Sequence, residues 1–321
     1  MSIHNDFSLS EVLWYKVGGK AKHFITAENK EDVLQALDFI EKNNPSRIFI
    51  CGLGSNLIFS DDYFDGVVMR IATNNTNGLQ IKNDGLVDVF AGDVLDDVIK
   101  ASFDSNLTGL EWAGGLPGTV GAGVRGNVGA FGGEIKDNFV SVEVLELKGN
   151  TFDISTITKE QANFSYRNSL IKENKNLIVL SAKFQLHHAD ETHLEKAKEV
   201  YNANITYRKI NHPIEYPTCG SVFKNIVDKK DVAKVLSMWP DIQELVDDKW
   251  HGKVSMGYVI KRLGFVGHRV GNMEVSKKHA NFIMNLGGAK ASNALTIISD
   301  IQEKVGETFG FTPEVEVEIV R

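Results

Sequence analysis

Nine of the 29 glycines fall in the 22 residues from Ala113 to Glu134, AGGLPGTVGAGVRGNVGAFGGE, where an even spread would place about two. Glycine lets the backbone take positive φ and lets main-chain N–H groups come close to a ligand, so such a run suits a loop wrapped around phosphate. Leu116, Pro117, Val120, Val124, Val128 and Phe131 interleave apolar anchors with the glycines, which sets the run apart from a flexible Gly/Ser linker. A second knot, Gly52-Leu53-Gly54-Ser55-Asn56, follows the apolar run Arg47 to Cys51, which reads as a buried strand. Two strand-then-glycine sites point to one extended, phosphate-bearing ligand.

Other residues capable of chemistry are weaker signals. Cys51 and Cys219 are the only cysteines and stand in no metal-ligand spacing, so neither a disulfide framework nor a zinc site is implied. His187, His188 and His193 fit no standard metal pattern, and no metal is expected. Lys261, Arg262, His268 and Arg269 form a basic cluster that either meets a diphosphate or is a solvated face. A net charge of −7 argues against nucleic-acid binding, because a phosphate backbone demands a basic face. No apolar run approaches the roughly 20 residues of a bilayer span, and the N-terminal residues lack a signal-peptide pattern. The expectation is a cytoplasmic protein with no membrane and no nucleic-acid partner.

These residues need elements to position them. Val33, Leu34, Leu37 and Ile40 recur at helical spacing before a strand at 48–50, and Gly66 to Ile71 is β-like. The polar patch Thr73 to Gly78 marks a boundary. Strands are expected at Leu79 to Ile81 and Val87 to Ala91, then a helix over Leu95 to Ile99 capped by Asp93. Beyond the glycine run, strands at Val140 to Leu145 and Leu177 to Phe184 flank the loop Ser165 to Ser169, and a helix carries Leu194, Ala197, Tyr201 and Ile205. A last helix runs from an N-cap at Ser292 to a C′ glycine, Gly310. Glu314 to Val320 alternates acid and apolar residues, the period of a strand, which puts Glu314, Glu316 and Glu318 on one face.

Seven segments, in order, resemble the bacterial UDP-N-acetylenolpyruvoylglucosamine reductases: Val17 to Ala21, Gly52 to Leu57, Gly109 to Glu134, Tyr166 to Ser169, Gly220 to Asn225, Val275 to Phe282, and the acidic terminal strand. Each alone is weak, and together they span almost the whole chain. The resemblance implies an α+β fold with FAD-binding subdomains of the vanillyl-alcohol-oxidase/para-cresol-methylhydroxylase type and a C-terminal α+β substrate-binding domain. Its boundaries fall at 1–72, with 310–321 returning, and 73–207 for the two FAD-binding subdomains, and 208–309 for the substrate-binding domain. A Rossmann assignment fits less well, because Gly52-Leu53-Gly54 lacks the third glycine of GxGxxG. The short stretch from Arg167 to Ser221 resembles the second subtype, without an added tyrosine-bearing loop.

The family activity so implied is reduction of an enolpyruvyl ether on a UDP-sugar, with FAD as cofactor and NADPH as co-substrate; a monomer is expected. Its carried-over catalytic residues are Arg167, Ser221 and Glu316. Cofactor contacts fall on Gly52, Leu53, Gly54, Ser55, Asn56, Leu57, Gly115, Pro117, Gly118, Thr119, Gly121, Ala122, Asn127, Gly129 and Ala130. Substrate contacts fall on Tyr166, Lys224, Asn225, His279 and Asn281. The residues alone leave alternatives: Arg167 as a structural cation, and the glutamates as a solvated edge strand, with the family register selecting Glu316. No GxSxG elbow surrounds Ser221, so nucleophilic hydrolysis is disfavoured. Two rival readings are a flavin-dependent alcohol or sugar oxidase and a non-catalytic flavin- or nucleotide-binding regulator.

Overall fold

Val33, Ala36, Leu37 and Ile40 are buried along one stripe, the face an amphipathic helix turns to a core. In the computed structural model, which describes residues 1–73, 79–148 and 151–321, they lie on helix Lys30–Asn43. Asn29 caps it by accepting the Asp32 N–H, and Asn44 ends it in the left-handed region at φ 40°. The chain then enters a four-stranded sheet ordered Ser2–Ser8, Lys20–Ala27, Phe64–Ile71, Ile48–Cys51. Its last three strands run parallel. Ile48–Cys51 is therefore an edge strand, with Ile48 exposed and only Cys51 buried, which corrects the expected fully buried strand.

The second sheet has five antiparallel strands ordered Thr151–Thr158, Phe139–Lys148, Leu177–Gln185, Leu86–Phe90, Gln80–Ile81. Residues 74–78 of the expected boundary patch lie outside the described residues. Thr151–Thr158 is a strand that the sequence signals only weakly, because its mostly polar residues blur the period of two on an exposed edge.

By packing, the chain divides into two compact units: Met1–Phe7, Ala21–Leu53 and Phe64–Arg208 form the first, and Ser8–Lys20, Gly54–Tyr63 and Lys209–Arg321 the second. Each has its own hydrophobic core. In the second unit, Ala294, Ile297, Ile298, Ile301 and Val305 bury one face of helix Ala291–Phe309, and Gly310 ends it at φ 71°. Its N-terminus differs from expectation. Asp61, more than two hundred residues away, accepts the N–H groups of Ala291 (2.8 Å) and Ser292 (2.9 Å) on its two oxygens. A carboxylate supplies two acceptors and a charge suited to the helix dipole, which a single serine hydroxyl cannot match.

The terminal strand is also shorter than its alternation suggests. Only Glu318–Val320 is a strand, parallel to Leu57–Phe59, while Val315 bridges antiparallel to Phe223. The chain changes partner at a bend on Val317, so Glu314 and Glu316 do not belong to the same strand as Glu318.

Burial raises the Asp61 pKa, but the Ser292 and Ala291 amides and nearby Lys290 outweigh it and hold the carboxyl below its usual range. A depressed acid stabilises the fold fully above its unfolded value near 4 and loses that contribution as pH falls through the lower folded value. Asp61→Ala should cost about 1–2 kcal/mol at pH 7 and less toward pH 3, read by denaturant melts across pH.

Candidate functional site

In the first unit, two glycine-bearing turns meet. A Cβ on Gly52 would lie 2.5 Å from Thr119 Oγ1, so only glycine lets the turn after strand Ile48–Cys51 close on the glycine-rich run. Within that run a short helix, Val120–Gly126, forms despite three glycines of low helix propensity. Packing holds it: the Gly121 N–H donates to the Ala91 carbonyl (2.8 Å), and a Cβ on Gly121 would meet Ala91 Cβ at 2.8 Å. The main-chain N–H groups of Leu53, Gly118 and Thr119 have no acceptor among the described residues, although Gly118 and Thr119 are buried. Buried amides without acceptors are costly unless a ligand satisfies them, and a diphosphate suits them.

The same run fixes Arg167. Ser169 Oγ donates to the Arg125 carbonyl (2.6 Å) and Asn127 Nδ2 to the Ser165 carbonyl (2.9 Å). Arg167 itself sits at φ 57°, donates from Nη2 to the Gly129 carbonyl (2.8 Å), and lies 5.3 Å from the Tyr166 ring centroid. Lys172 Nζ donates to the Arg167 carbonyl (2.8 Å), so both ends of the residue are held in a conformation that non-glycine residues seldom adopt. Asn127 also donates to Glu134 and accepts the Lys136 N–H, which makes it an internal bracket. Gly129 and Ala130 form one arm of a tiny hairpin, and Ala122 is exposed on the short helix.

The second unit gathers the other expected residues. The Glu316 N–H donates to the Val222 carbonyl (2.8 Å), beside Ser221, and Asn56 Nδ2 donates to the Glu316 carbonyl (3.3 Å). A Cβ on Gly220 would lie 3.8 Å from the Ser55 carbonyl. Ser221, Glu316 and the turn Gly54 to Asn56 therefore form one cluster, and the amides of Gly54 and Asn56 again lack acceptors among the described residues. Leu57 is buried in the strand that follows. Glu314 is taken up by an ion pair with Lys224.

Several expected substrate contacts already work for the fold. Asn281, 3% exposed, accepts the Phe223 N–H (2.9 Å) and donates to its carbonyl (2.8 Å), in the manner of a strand partner. Asn225 Oδ1 accepts the Met256 N–H. Burial holds His279 below its usual pKa, and its Nδ1 accepts the Asn281 N–H (3.3 Å), leaving a proton for Nε2 in the neutral ring. The basic cluster is dispersed: Arg262 is bidentate to Asp241, His268 meets Asp300, and Arg269 bonds Gly271 and Asn272. Burial pushes the Cys219 thiol up to about 12, which makes it a packing group. Among the described residues no group of three His, Cys, Asp or Glu could hold a metal, and no helix is long and apolar enough to cross a membrane.

Asp93 corrects another expectation. The N-cap of helix Leu95–Asp104 is Val94, with no side-chain cap, and both Asp93 carboxyl oxygens are buried without a hydrogen-bond partner among the described residues. Its main chain is the useful part, accepting the Val120 N–H that starts the short glycine-rich helix.

Acceptor-free amides on glycine turns, in an α+β chain whose residues 21–155 match the model of the FAD binding domain, define an FAD-binding protein. This is the fold the resemblance implied. Residues 212–320 match the model of the UDP-N-acetylenolpyruvoylglucosamine reductase C-terminal domain. The reductase of that name from Latilactobacillus sakei is 35% identical over 100% of this chain and 94% of its own, and that from Prochlorococcus marinus is 34% identical over 97% and 91%. The crystal structure of the Thermus caldophilus reductase superposes with a TM-score of 0.72 at 25% identity, covering 100% of this chain and 98% of that one. The chain belongs to the UDP-N-acetylenolpyruvoylglucosamine reductase family and is an FAD-dependent oxidoreductase.

Burial raises the Asp93 pKa to about 6, so its penalty on the fold is absent below pH 4 and complete above pH 6. Asp93→Asn should raise the melting temperature at pH 8 and leave it nearly unchanged at pH 4. Asn281→Ala should cost about 1–3 kcal/mol in denaturant unfolding, because it strands two buried backbone groups.

Proposed function

We propose that this chain reduces the enolpyruvyl ether of UDP-N-acetylglucosamine to UDP-N-acetylmuramate, with FAD as cofactor and NADPH as reductant, in peptidoglycan precursor synthesis. The observation that carries the reading beyond family membership is the cluster in the second unit, where Ser221 and Glu316 adjoin the acceptor-free amides of Gly54 and Asn56. Residues 1–72 with 310–321, and 73–207, serve as FAD-binding subdomains, and 208–309 as the substrate-binding domain. The protein works as a cytoplasmic monomer, in the compartment of its nucleotide substrates.

FAD, when bound, supplies the hydride that the methylene carbon of the enolpyruvyl group receives. Negative charge then builds on the adjacent carbon and its carboxylate. In this reading Arg167 supplies the guanidinium cation for that carboxylate, and Glu316 is carried as a polarising group. The Ser221 Oγ–H gives its proton to the carbanion-like carbon and is reprotonated from solvent. Gly52 to Leu57, Gly115 to Ala122 and Gly129 to Ala130 hold the cofactor, with Asn127 shaping the run. Tyr166, Lys224 and Asn225 face the substrate, with His279 and Asn281 supporting them.

The purified protein should be yellow and consume NADPH only when the enolpyruvyl sugar nucleotide is added. Ser221→Ala should keep NADPH-driven bleaching of the flavin yet slow its reoxidation by substrate by about 10²-fold or more in stopped flow. A variant that turns over at the parent rate would remove Ser221 from the mechanism. A colourless protein that cannot be reconstituted with FAD would end the reading. Acid should release the flavin free, whereas oxygen-driven oxidation of an alcohol or sugar would favour an oxidase.

A further inference from the structure

A phosphate-binding loop must point N–H groups at its ligand, so its carbonyls need donors elsewhere. In the first unit those donors come from one helix. Glu191–Asn211 lies along the entry to the glycine-rich run: Asn204 Nδ2 donates to the carbonyls of Glu111 (3.2 Å) and Trp112 (3.3 Å), and Arg208 Nε to that of Gly114 (3.0 Å). Tyr201 donates to Asp96 Oδ1 (2.9 Å), which also accepts the Gly115 N–H (3.0 Å), while Lys100 holds the second Asp96 oxygen at 2.7 Å. Tyr201, Asn204 and Arg208 are three and four residues apart, so they share one helical face.

The fit is close. A Cβ on Gly114 would lie 2.6 Å from the Tyr201 carbonyl, and one on Gly115 3.1 Å from Ile205 Cγ1. Arg208 also reaches the far end of the run, with its guanidinium carbon 5.0 Å from the centroid of the Phe131 ring. The helix face occupies the carbonyls at residues 111, 112 and 114 and holds the Asp96 carboxylate that takes the Gly115 N–H, and the acceptor-free amides begin at Gly118.

We infer that Tyr201, Asn204 and Arg208 form a clasp that sets the glycine-rich run in its FAD-binding shape, making them positioning residues for the cofactor. The inference rests on the FAD-dependent reading above. It predicts that FAD affinity depends on this face at positions that do no chemistry.

The test is the FAD dissociation constant of the full chain, measured by flavin fluorescence, beside the melting temperature of each flavin-free protein. Asn204→Ala and Arg208→Ala should weaken FAD by about tenfold or more. Arg208→Lys should recover part of the loss, since an ammonium can donate to the Gly114 carbonyl but lacks the planar guanidinium over Phe131. Tyr201→Phe, which removes one hydroxyl, should give a smaller loss, and Thr206→Ala, on the exposed face of the helix, none. Flavin-free melting temperatures of Tyr201→Phe and Thr206→Ala should stay within about 2 °C of the parent, and the affinity lost in Asn204→Ala and Arg208→Ala should exceed what any fall in their own flavin-free melting temperature accounts for. Affinities within twofold of the parent, or losses that merely track a falling flavin-free melting temperature, would overturn the clasp while leaving the reductase reading intact. A parent chain that takes up no FAD would overturn both.

Discussion

The approach of Gly52 to Thr119 is the contact on which the first unit's site depends. Two turns that are distant in sequence come within van der Waals reach, and the acceptor-free amides of Leu53, Gly118 and Thr119 follow from that closure. Any side chain at 52 would collide with Thr119 Oγ1 and push the turns apart. The same run reaches onward to Arg167 through Arg125, Asn127 and Gly129, so the shape of the cofactor loop also fixes the arginine.

In the second unit, short polar side chains perform work that regular strands do elsewhere. Ser221 lies in an irregular segment whose backbone must still be satisfied inside a core. Asn281 supplies a strand partner to Phe223, Asn225 meets the Met256 N–H, and Asn285 Nδ2 donates to the carbonyls of Tyr15 and Lys16. Amide side chains suit this role because each presents a donor and an acceptor, as a peptide group does. An irregular segment held this way can carry a functional hydroxyl without losing its place.

Much of this was legible in the sequence. The amphipathic stripe from Val33 to Ile40, the C′ glycine at 310 and the glycine knots each carry a local signal, whereas the fold and family were implied by the resemblance that seven ordered segments carry together. What was hidden depends on distant partners. Nothing near Ser292 announces that Asp61 will cap its helix, and nothing near Asp93 reveals that its carboxyl does not cap the helix that follows. The alternation from Glu314 to Val320 spoke for one strand, yet the chain exchanges Phe223 for Leu57–Phe59 midway. Glycine counts alone could not separate positions that face a ligand from Gly114, which makes room for a helix.

The composition of the second unit has a consequence for synthesis. It draws on Ser8–Lys20, Gly54–Tyr63 and Lys209–Arg321, whereas the first unit is complete at Arg208. A chain emerging from the ribosome can therefore pack its first unit while Tyr15, Val17 and Ile58, which join the core of the second unit, await partners not yet translated.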